Sequence, residues 1–371
     1  MRIAHVAPRG ESPGSGVLTA LVELAAALAR RGHSVDLWKL HHWDSDAYGS
    51  KIDLLERDGV EAIPVSGTPL WKLALDSRRM TRARSRELIH LHGVFNTSNT
   101  VLARALPVPY VFSPHSGYDS VSLLRSRRRK RFFSALFEHR TVRRASLIGA
   151  LTDVEREQVQ AFGSAQRIVV IPNGVTPPPR GLDGEAFRRE LPLAPSVPLA
   201  LFVGRMDVEH KGLDLFLRGI SESDRWHAAL VGPDHRGGRT RLSSMAATLG
   251  IEERVHLCGV SSDAALDEAF YGADVFVLMS RWEGMPMSLL ESLAHGTPAV
   301  VSPTVERLVA VERAGAGWTS SPGQLGKLLN HLCEARAELM AAGRAALELA
   351  RAYDWDRIAE RYEAAYATVV R

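Results

Sequence analysis

Residues 281–296 read RWEGMPMSLLESLAHG, between two short apolar runs, 273–279 (ADVFVLM) and 298–302 (PAVVS). Runs this short and this rich in Val, Leu and Phe are expected of strands buried on both faces. Pro286 suits the first turn of a helix, residues 287–294 are good helix formers, and Gly296 suits the position just past a helix end. The stretch therefore reads as strand, loop, helix, strand. A loop at the carboxyl end of a parallel strand, feeding a helix N-terminus, is where open α/β sheets bind ligands, and the helix amides favour an anion there. Two carboxylates mark the unit, Glu283 in the loop and Glu291 on the helix. Paired carboxylates suggest glycoside hydrolysis, but eight helical residues separate these by about 12 Å. That exceeds the ~6.5–9.5 Å of an inverting pair and exceeds a retaining pair further. They read better as acceptors for hydroxyls on two parts of one long ligand.

The same alternation runs in both directions. Short strands are expected at 2–7, 34–40, 60–64, 88–91, 110–113, 146–150 and 168–171, with helices at 17–31, 97–105 and 123–145. Strands alternating with helices mean parallel sheet and right-handed crossovers. Residues 172–179 (PNGVTPPP) make a stiff extended connector. The pattern then restarts, with strands at 199–203, 228–231, 255–258, 273–279 and 298–302, a helix from about Gly212, and helices at 323–334, 335–352 and 355–369. The expected fold class is α/β, two Rossmann-like doubly wound domains, residues 1–175 and 180–353, facing across a cleft lined by the loops at the carboxyl ends of both sheets. A chain of 371 residues is long enough for both.

No apolar run is long enough to span a bilayer, and residues 1–6 read as a first strand and not as a signal segment. Two cysteines, Cys258 and Cys333, make no disulfide framework, so a reducing cytoplasm is the expected compartment. The net charge of +4 is unevenly spread. Residues 121–144 hold nine basic side chains, Arg125, Arg127, Arg128, Arg129, Lys130, Arg131, Arg140, Arg143 and Arg144, against one acid, Glu138, a local charge of +8. A second cluster is Arg78, Arg79, Arg82, Arg84 and Arg86.

Three further places carry candidate chemistry. Gly14, Ser15 and Gly16 follow the first strand, where glycines permit close approach of backbone to a phosphate. The spacing is not GxGxxG, which disfavours a dinucleotide site. The loop after the strand at 199–203 carries Arg205 and Lys211, two cations suited to a diphosphate, Arg as a fork and Lys as a point charge. A structural salt bridge of either with Asp207 or Glu209 is the competing reading. His115, just past a strand end and before Gly117, is placed to touch a substrate. Asp44-Ser-Asp46 and Asp354-Trp-Asp356 look like Asp-x-Asp metal motifs, but neither follows a hydrophobic strand in the required way. His90 and His92 alternate on one strand face with no third ligand evident. There is no GxSxG elbow, Walker loop or zinc-spaced cysteine pair.

Together these residues resemble glycosyltransferase family 4, retaining enzymes of the GT-B fold, over nearly the whole chain. Glu283-Gly284-Met285-Pro286 with Glu291 is similar to the family's E-G-x-P-x-x-x-x-E; Gly204-Arg205 with Lys211-Gly212 to its G-R-x…K-G; Pro172-Asn173-Gly174-Val175 to its P-N-G-V interdomain motif. Gly14-Ser15-Gly16 sits where the family has a Gly-rich loop near the donor phosphate, and His115 matches its histidine after a strand. The segment from Tyr353 resembles the start of a terminal helix, 355–371, that crosses back onto the N-terminal domain. Two places depart from the family pattern: Gly232-Pro233-Asp234 stands for its Gly-Asp-Gly-like loop, and His210 precedes Lys211.

The resemblance implies a nucleotide-diphospho-sugar donor held by the C-terminal half and an acceptor held by the N-terminal half. Arg205 and Lys211 would neutralise the diphosphate in place of a metal. Glu291 would hold the ribose hydroxyls; Glu283, with Gly284, Met285, Pro286 and Met287, the donor sugar. Asn173 belongs to the same donor set. His115 would hydrogen-bond and orient that sugar. No cofactor and no metal are expected. The stretch 121–144 is the acceptor clue: a membrane-surface helix attracting anionic lipid at about 1 kcal/mol per basic residue, with Phe132, Phe133, Leu136 and Phe137 able to insert, and the acceptor then lipid-linked. A solvated cationic face is the plain alternative, and nucleic acid is disfavoured because no aromatic interleaving or binding module supports it. Rival activities on the same fold are a nucleotide-sugar 2-epimerase and a phosphorylase; the latter needs a pyridoxal lysine and a longer chain.

Overall fold

The structure is a computed structural model. It describes residues 1–8, 15–39, 43, 45–64, 77–119, 123, 127–163, 167–179, 181–259 and 262–370, without the side chains of 45–47, 77–80, 127, 129, 131 and 135. The chain divides into two compact units, Met1–Gly174 with Trp355–Arg371, and Val175–Asp354.

The N-terminal unit is built on seven parallel strands: β1 (Arg2–Val6), β2 (Ser34–Lys39), β3 (Glu61–Pro64), β4 (Leu88–His92), β5 (Tyr110–Ser113), β6 (Leu147–Ala150) and β7 (Ile168–Val170). Their order is β3-β2-β1-β4-β5-β6-β7, so the chain reverses its direction of travel between β1 and β4. In register, His5 stands opposite His90 and His92 opposite Ser113. Strand alternation thus places His5, His90, His92 and Ser113 on one face, and Ala4, Ile89, Leu91 and Phe112 on the other. The second set joins Tyr110, Leu102, Val142 and Val159 in an apolar core. The first face lies under the terminal helix Trp355–Ala367, whose Tyr366 hydroxyl bonds His90 Nδ1 at 2.7 Å. Gly174 is required where that helix begins: a Cβ there would lie 2.3 Å from the Trp355 ring.

The C-terminal unit repeats the plan with β8 (Leu199–Val203), β9 (His227–Val231), β10 (Val255–Cys258), β11 (Val275–Leu278), β12 (Ala299–Val301) and β13 (Gly317–Thr319), ordered β10-β9-β8-β11-β12-β13 and all parallel. Here the reversal falls between β8 and β11. Both strands are wholly buried, as their uniform apolar runs require.

Several elements differ from the sequence expectation. β13 was not expected; three residues carry too little periodicity to register. The helices Gly238–Leu249, Asp263–Gly272 and Asp153–Ala161 are likewise additional to the sequence expectation. The single helix expected over 123–145 is instead Arg127–Phe133, a π-helical turn Ser134–Glu138 and His139–Arg144, with 124–126 outside the described residues. The wide turn ends on Glu138, buried and bonded to the backbone N–H of Phe95 and the hydroxyl of Tyr118.

Candidate functional site

In the C-terminal unit the loops after β8 and β11 meet at the reversal point. Gly212 makes this possible: at φ +63 it lies so close to the end of β11 that a Cβ would sit 2.1 Å from the Met279 carbonyl oxygen. That contact carries Lys211 to Glu283, Nζ to Oε1 2.6 Å, with side chains 14% and 8% exposed. Ser280 Oγ donates to the same oxygen at 2.7 Å. Burial pushes the Glu283 carboxyl up, but the charges of Lys211 and His210 and the bonds from Lys211 and Ser280 outweigh it, and the net shift is downward. Glu283 is therefore an anion at neutral pH.

Asp207 and Glu209, the alternative partners weighed for Arg205 and Lys211, take neither. Asp207 faces His210 and His235 at 3.8 and 3.6 Å, and the Glu209 carbonyl accepts from Arg281. Arg205 is exposed and makes no ion pair among the described residues. The loop is fixed from above by His210, whose ring stacks on Trp282 at 4.5 Å and 2° and bonds the Trp282 carbonyl at 2.9 Å. The loop that departs from the family pattern is also defined: Gly232 abuts the Gly204 carbonyl, where a Cβ would come to 2.2 Å, and Asp234 caps the next turn through the N–H groups of Gly237 and Arg239. Met287 opens the helix Met287–Ala294 directly after Pro286; Met285, Pro286 and Met287 are buried, Gly284 and Glu291 half-buried. Among the described residues the site thus presents an exposed cation without an ion pair, Arg205, a buried ion pair and a helix N-terminus, a set suited to an oxyanion with hydroxyls beside it.

The N-terminal unit has a cavity of about 390 Å³ at its own reversal point, lined among others by Pro8, Val17, Phe95, Asn96, Ser98 and His115. Ser15 precedes and Gly16 opens the helix Gly16–Arg30, whose second residue, Val17, is in this wall; Gly14 lies outside the described residues. Three non-glycine residues here have left-handed backbones: Phe95 (φ 51), His115 (φ 53) and Ser116 (φ 64). Such conformations cost on the order of 1 kcal/mol or more and persist only where surroundings hold them. Two buried carboxylates hold two of the three: Glu138 accepts from the Phe95 N–H at 3.1 Å, and Glu155 from the N–H groups of Ser116 and Leu151. Burial raises both to about 7 against the pull of those bonds. Neither carboxylate is a candidate site residue in the sequence, where Glu138 is the lone acid of a basic stretch and Glu155 one of three acids on its helix.

The sequence left His90 and His92 without a third partner; the structure corrects this. His5, on the adjacent strand, brings one nitrogen of each ring within 4.8 Å of the others. As arranged the three do not fit a metal: both nitrogens of His90 are taken, by Tyr366 and Ser113, and His5 Nδ1 bonds His92 Nε2. Asn173 is buried at the end of the N-terminal unit. Asp44 lies outside the described residues.

On the basic stretch, Arg125 and the side chains of Arg127, Arg129 and Arg131 lie outside the description. Arg128 and Arg140 are exposed, and Lys130 Nζ sits 4.9 Å above the Phe95 ring. The expected apolar quartet is halved: Phe132 and Leu136 are exposed, but Phe133 packs edge-on to Phe95 and Phe137 lies under Arg104. Among the described residues no helix is long and apolar enough to cross a membrane.

Residues 15–174 match the model of the glycosyl transferase 4-like domain and residues 197–342 that of glycosyl transferases group 1. Mannosylfructose-phosphate synthase of Agrobacterium fabrum is 24% identical, covering 81% of this chain and 74% of its own. GDP-mannose:cellobiosyl-diphosphopolyprenol alpha-mannosyltransferase of Xanthomonas campestris is 24% identical over 75% of this chain and 73% of its own. Among solved structures, Anabaena HepE in complex with UDP and glucose superposes with a TM-score of 0.80 at 19% identity, covering 99% of this chain and 100% of that one. With the two family models in tandem on two doubly wound units, the chain belongs to the family 4 type of glycosyltransferase, with the GT-B fold.

Proposed function

We propose that the chain is a retaining, metal-independent hexosyltransferase that moves a sugar from a nucleotide-diphospho sugar to an acceptor hydroxyl in glycan, polysaccharide or glycolipid synthesis. The observation that carries this reading is the buried Lys211–Glu283 pair, with the exposed Arg205 on the same loop as Lys211. Lys211 and Arg205 neutralise the leaving diphosphate, the task a divalent cation performs elsewhere. Glu283 accepts hydrogen bonds from the donor sugar's hydroxyls, and Gly284 to Met287 offer the backbone of a helix N-terminus. Glu291 takes the ribose and Asn173 completes the donor set. Ser15 and Gly16, at the start of their helix, face the donor phosphates, and His115 orients the donor sugar. The cavity of the N-terminal unit receives the acceptor. Among the described residues, Glu283 is engaged through one oxygen by Lys211 and Ser280 and serves this reading as a hydroxyl acceptor, with no carboxylate assigned as a nucleophile. Attack on the same face as the departing diphosphate is the route that then retains configuration.

The relative from Xanthomonas campestris is named for a lipid-diphosphate acceptor. With the exposed Phe132, Leu136, Arg128 and Arg140 it favours a lipid-linked acceptor met by a peripheral enzyme on an anionic, inner membrane face. The relative from Agrobacterium fabrum is named for a phosphorylated product, mannosylfructose phosphate, and a soluble small-molecule acceptor is the second reading. A 2-epimerase would convert the nucleotide sugar to its C2 epimer with no acceptor and with no net release of nucleoside diphosphate.

The test is incubation with UDP-, GDP- and ADP-sugars, with and without acceptors and chelator. Acceptor-dependent release of nucleoside diphosphate that survives chelation, and that Glu283→Ala abolishes while nucleoside diphosphate still binds, supports the reading. Consumption of no nucleotide sugar across a broad acceptor panel overturns it.

A further inference from the structure

Behind His115, the reversal point of the N-terminal sheet carries two imidazoles, His5 and His92, that the donor chemistry above leaves unused. His5 Nδ1 lies 3.1 Å from His92 Nε2, and His92 Nδ1 lies 2.9 Å from His115 Nε2. Successive rings stack at 22° and 28°. The two terminal nitrogens, His5 Nε2 and His115 Nδ1, are buried and have no hydrogen-bond partner among the described residues. Burial pushes His5 down to about 3 and His115 to about 4, and holds His92 well below the ordinary imidazole range. Each ring is then neutral near pH 7 and carries one N–H and one bare nitrogen.

That count leaves two arrangements. Each bond of the chain needs one N–H and one lone pair, so the three protons must all sit on Nδ1 or all on Nε2. With all on Nδ1, the N–H lacking a partner is that of His115, which lines the cavity, where a ligand oxygen can accept it. With all on Nε2 it is that of His5, sealed on the sheet face beneath the terminal helix. An orphaned buried N–H is costly, and a bare acceptor nitrogen is tolerated more readily. The chain is therefore polarised toward His115.

We propose that His92 and His5 are positioning residues that hold His115 as its Nδ1–H tautomer, which makes His115 a hydrogen-bond donor to an oxygen of the bound sugar and not a base. The role of the sugar rests on the transferase reading above; the tautomer does not. Removing the proton from the correct ring nitrogen of a catalytic histidine is known to cost far more than the bond itself.

Selective ¹⁵N-histidine labelling with long-range ¹H–¹⁵N spectra reads the tautomers without any substrate, and His5→Gln, His92→Asn and His115→Asn assign the signals. The expected result is Nδ1–H at His5, His92 and His115 in the wild-type protein. In His92→Phe the His115 signal shifts toward Nε2–H and kcat falls at least about ten-fold with little change in KM for the nucleotide sugar. His92→Asn, whose amide N–H replaces the Nδ1 donor, restores the Nδ1–H signal and much of kcat. Nε2–H at His115 in the wild type, or equal losses in the Phe and Asn variants, overturns the proposal. If His92→Phe fails to fold, the wild-type spectrum decides alone. A wild type that transfers no sugar defeats the transferase reading, while the spectrum still decides the tautomer.

Discussion

The two reversal points of this chain are built from opposite materials. In the C-terminal unit, between β8 and β11, the polar groups are charged: Lys211 against Glu283 at 2.6 Å, Arg205 exposed beside them. In the N-terminal unit, between β1 and β4, they are neutral or nearly so: stacked imidazoles whose basicity burial removes, and two carboxylates raised to about 7. Burial acts on both. What differs is compensation: Glu283 has a cation within a hydrogen bond, and among the described residues Glu138 has a tyrosine hydroxyl and a backbone N–H. A site that keeps its charges when desolvated is made to meet another charged group; a site that sheds them is made to read neutral oxygens.

The largest effect that tests this contrast is expected at Glu283. Glu283→Ala removes a hydroxyl acceptor and leaves Lys211 without its partner, and transfer should fall by about 10²–10³-fold. A steady-state assay of nucleoside diphosphate release checks it; a loss under about five-fold would break the assignment of charge to function. Next is the pH response of the neutral region. Glu138 has a folded-state pKa of about 7 against an ordinary 4.5, so its contribution to stability is full below the unfolded value and is lost as pH rises through the folded one. Between about pH 5 and pH 8 the loss is on the order of 2–3 kcal/mol. Glu138→Gln keeps an acceptor for both bonds at the one oxygen that receives them, so its urea midpoint should change less with pH than the wild type's. Equal slopes would show that the carboxyl is already ionised in the fold.

Gly212→Ala tests the contact that joins the charged loops. A methyl group 2.1 Å from the Met279 carbonyl, on a left-handed backbone, should cost about 2 kcal/mol, measured by denaturant unfolding, and should raise KM for the donor by parting Lys211 from Glu283. The smallest effect is at the chain's departure from the family pattern. His210→Ala removes a stacked pair worth about 0.5–1.5 kcal/mol and should lower thermal stability by a few degrees at most. A larger fall in kcat than in stability would move His210 from support to chemistry.

The charged region was legible in the sequence because its parts are local. Glu283, Pro286 and Glu291 lie on one stretch, and Arg205 and Lys211 on another, each announced by a buried strand and a glycine. What the sequence concealed there was the partnership: Lys211 and Glu283 had been assigned to different parts of the ligand, and it is parallel pairing of β8 with β11 that joins them. The neutral region was nearly illegible. His5 and His90 are 85 positions apart and meet only through strand register. Glu155 has no signature, because a carboxylate buried to hold a left-handed backbone looks in sequence like any exposed helical acid, and Glu138 stands out only as the lone acid of 121–144, which does not tell that it is buried. The basic stretch 121–144 stands between these cases: its charge density is visible in the sequence, but that Phe132 and Leu136 are exposed while Phe133 packs on Phe95 and Phe137 lies under Arg104 is not.

The central claim, sugar transfer with retention at the Glu283 centre, is tested most directly by the anomeric configuration of the product, read by ¹H NMR of the initial product from an α-configured nucleotide-diphospho sugar. The account predicts an α-linked product, formed by the wild type in the presence of chelator and absent with Glu283→Ala. A β-linked product, or an α-linked product formed undiminished by Glu283→Ala, would contradict it.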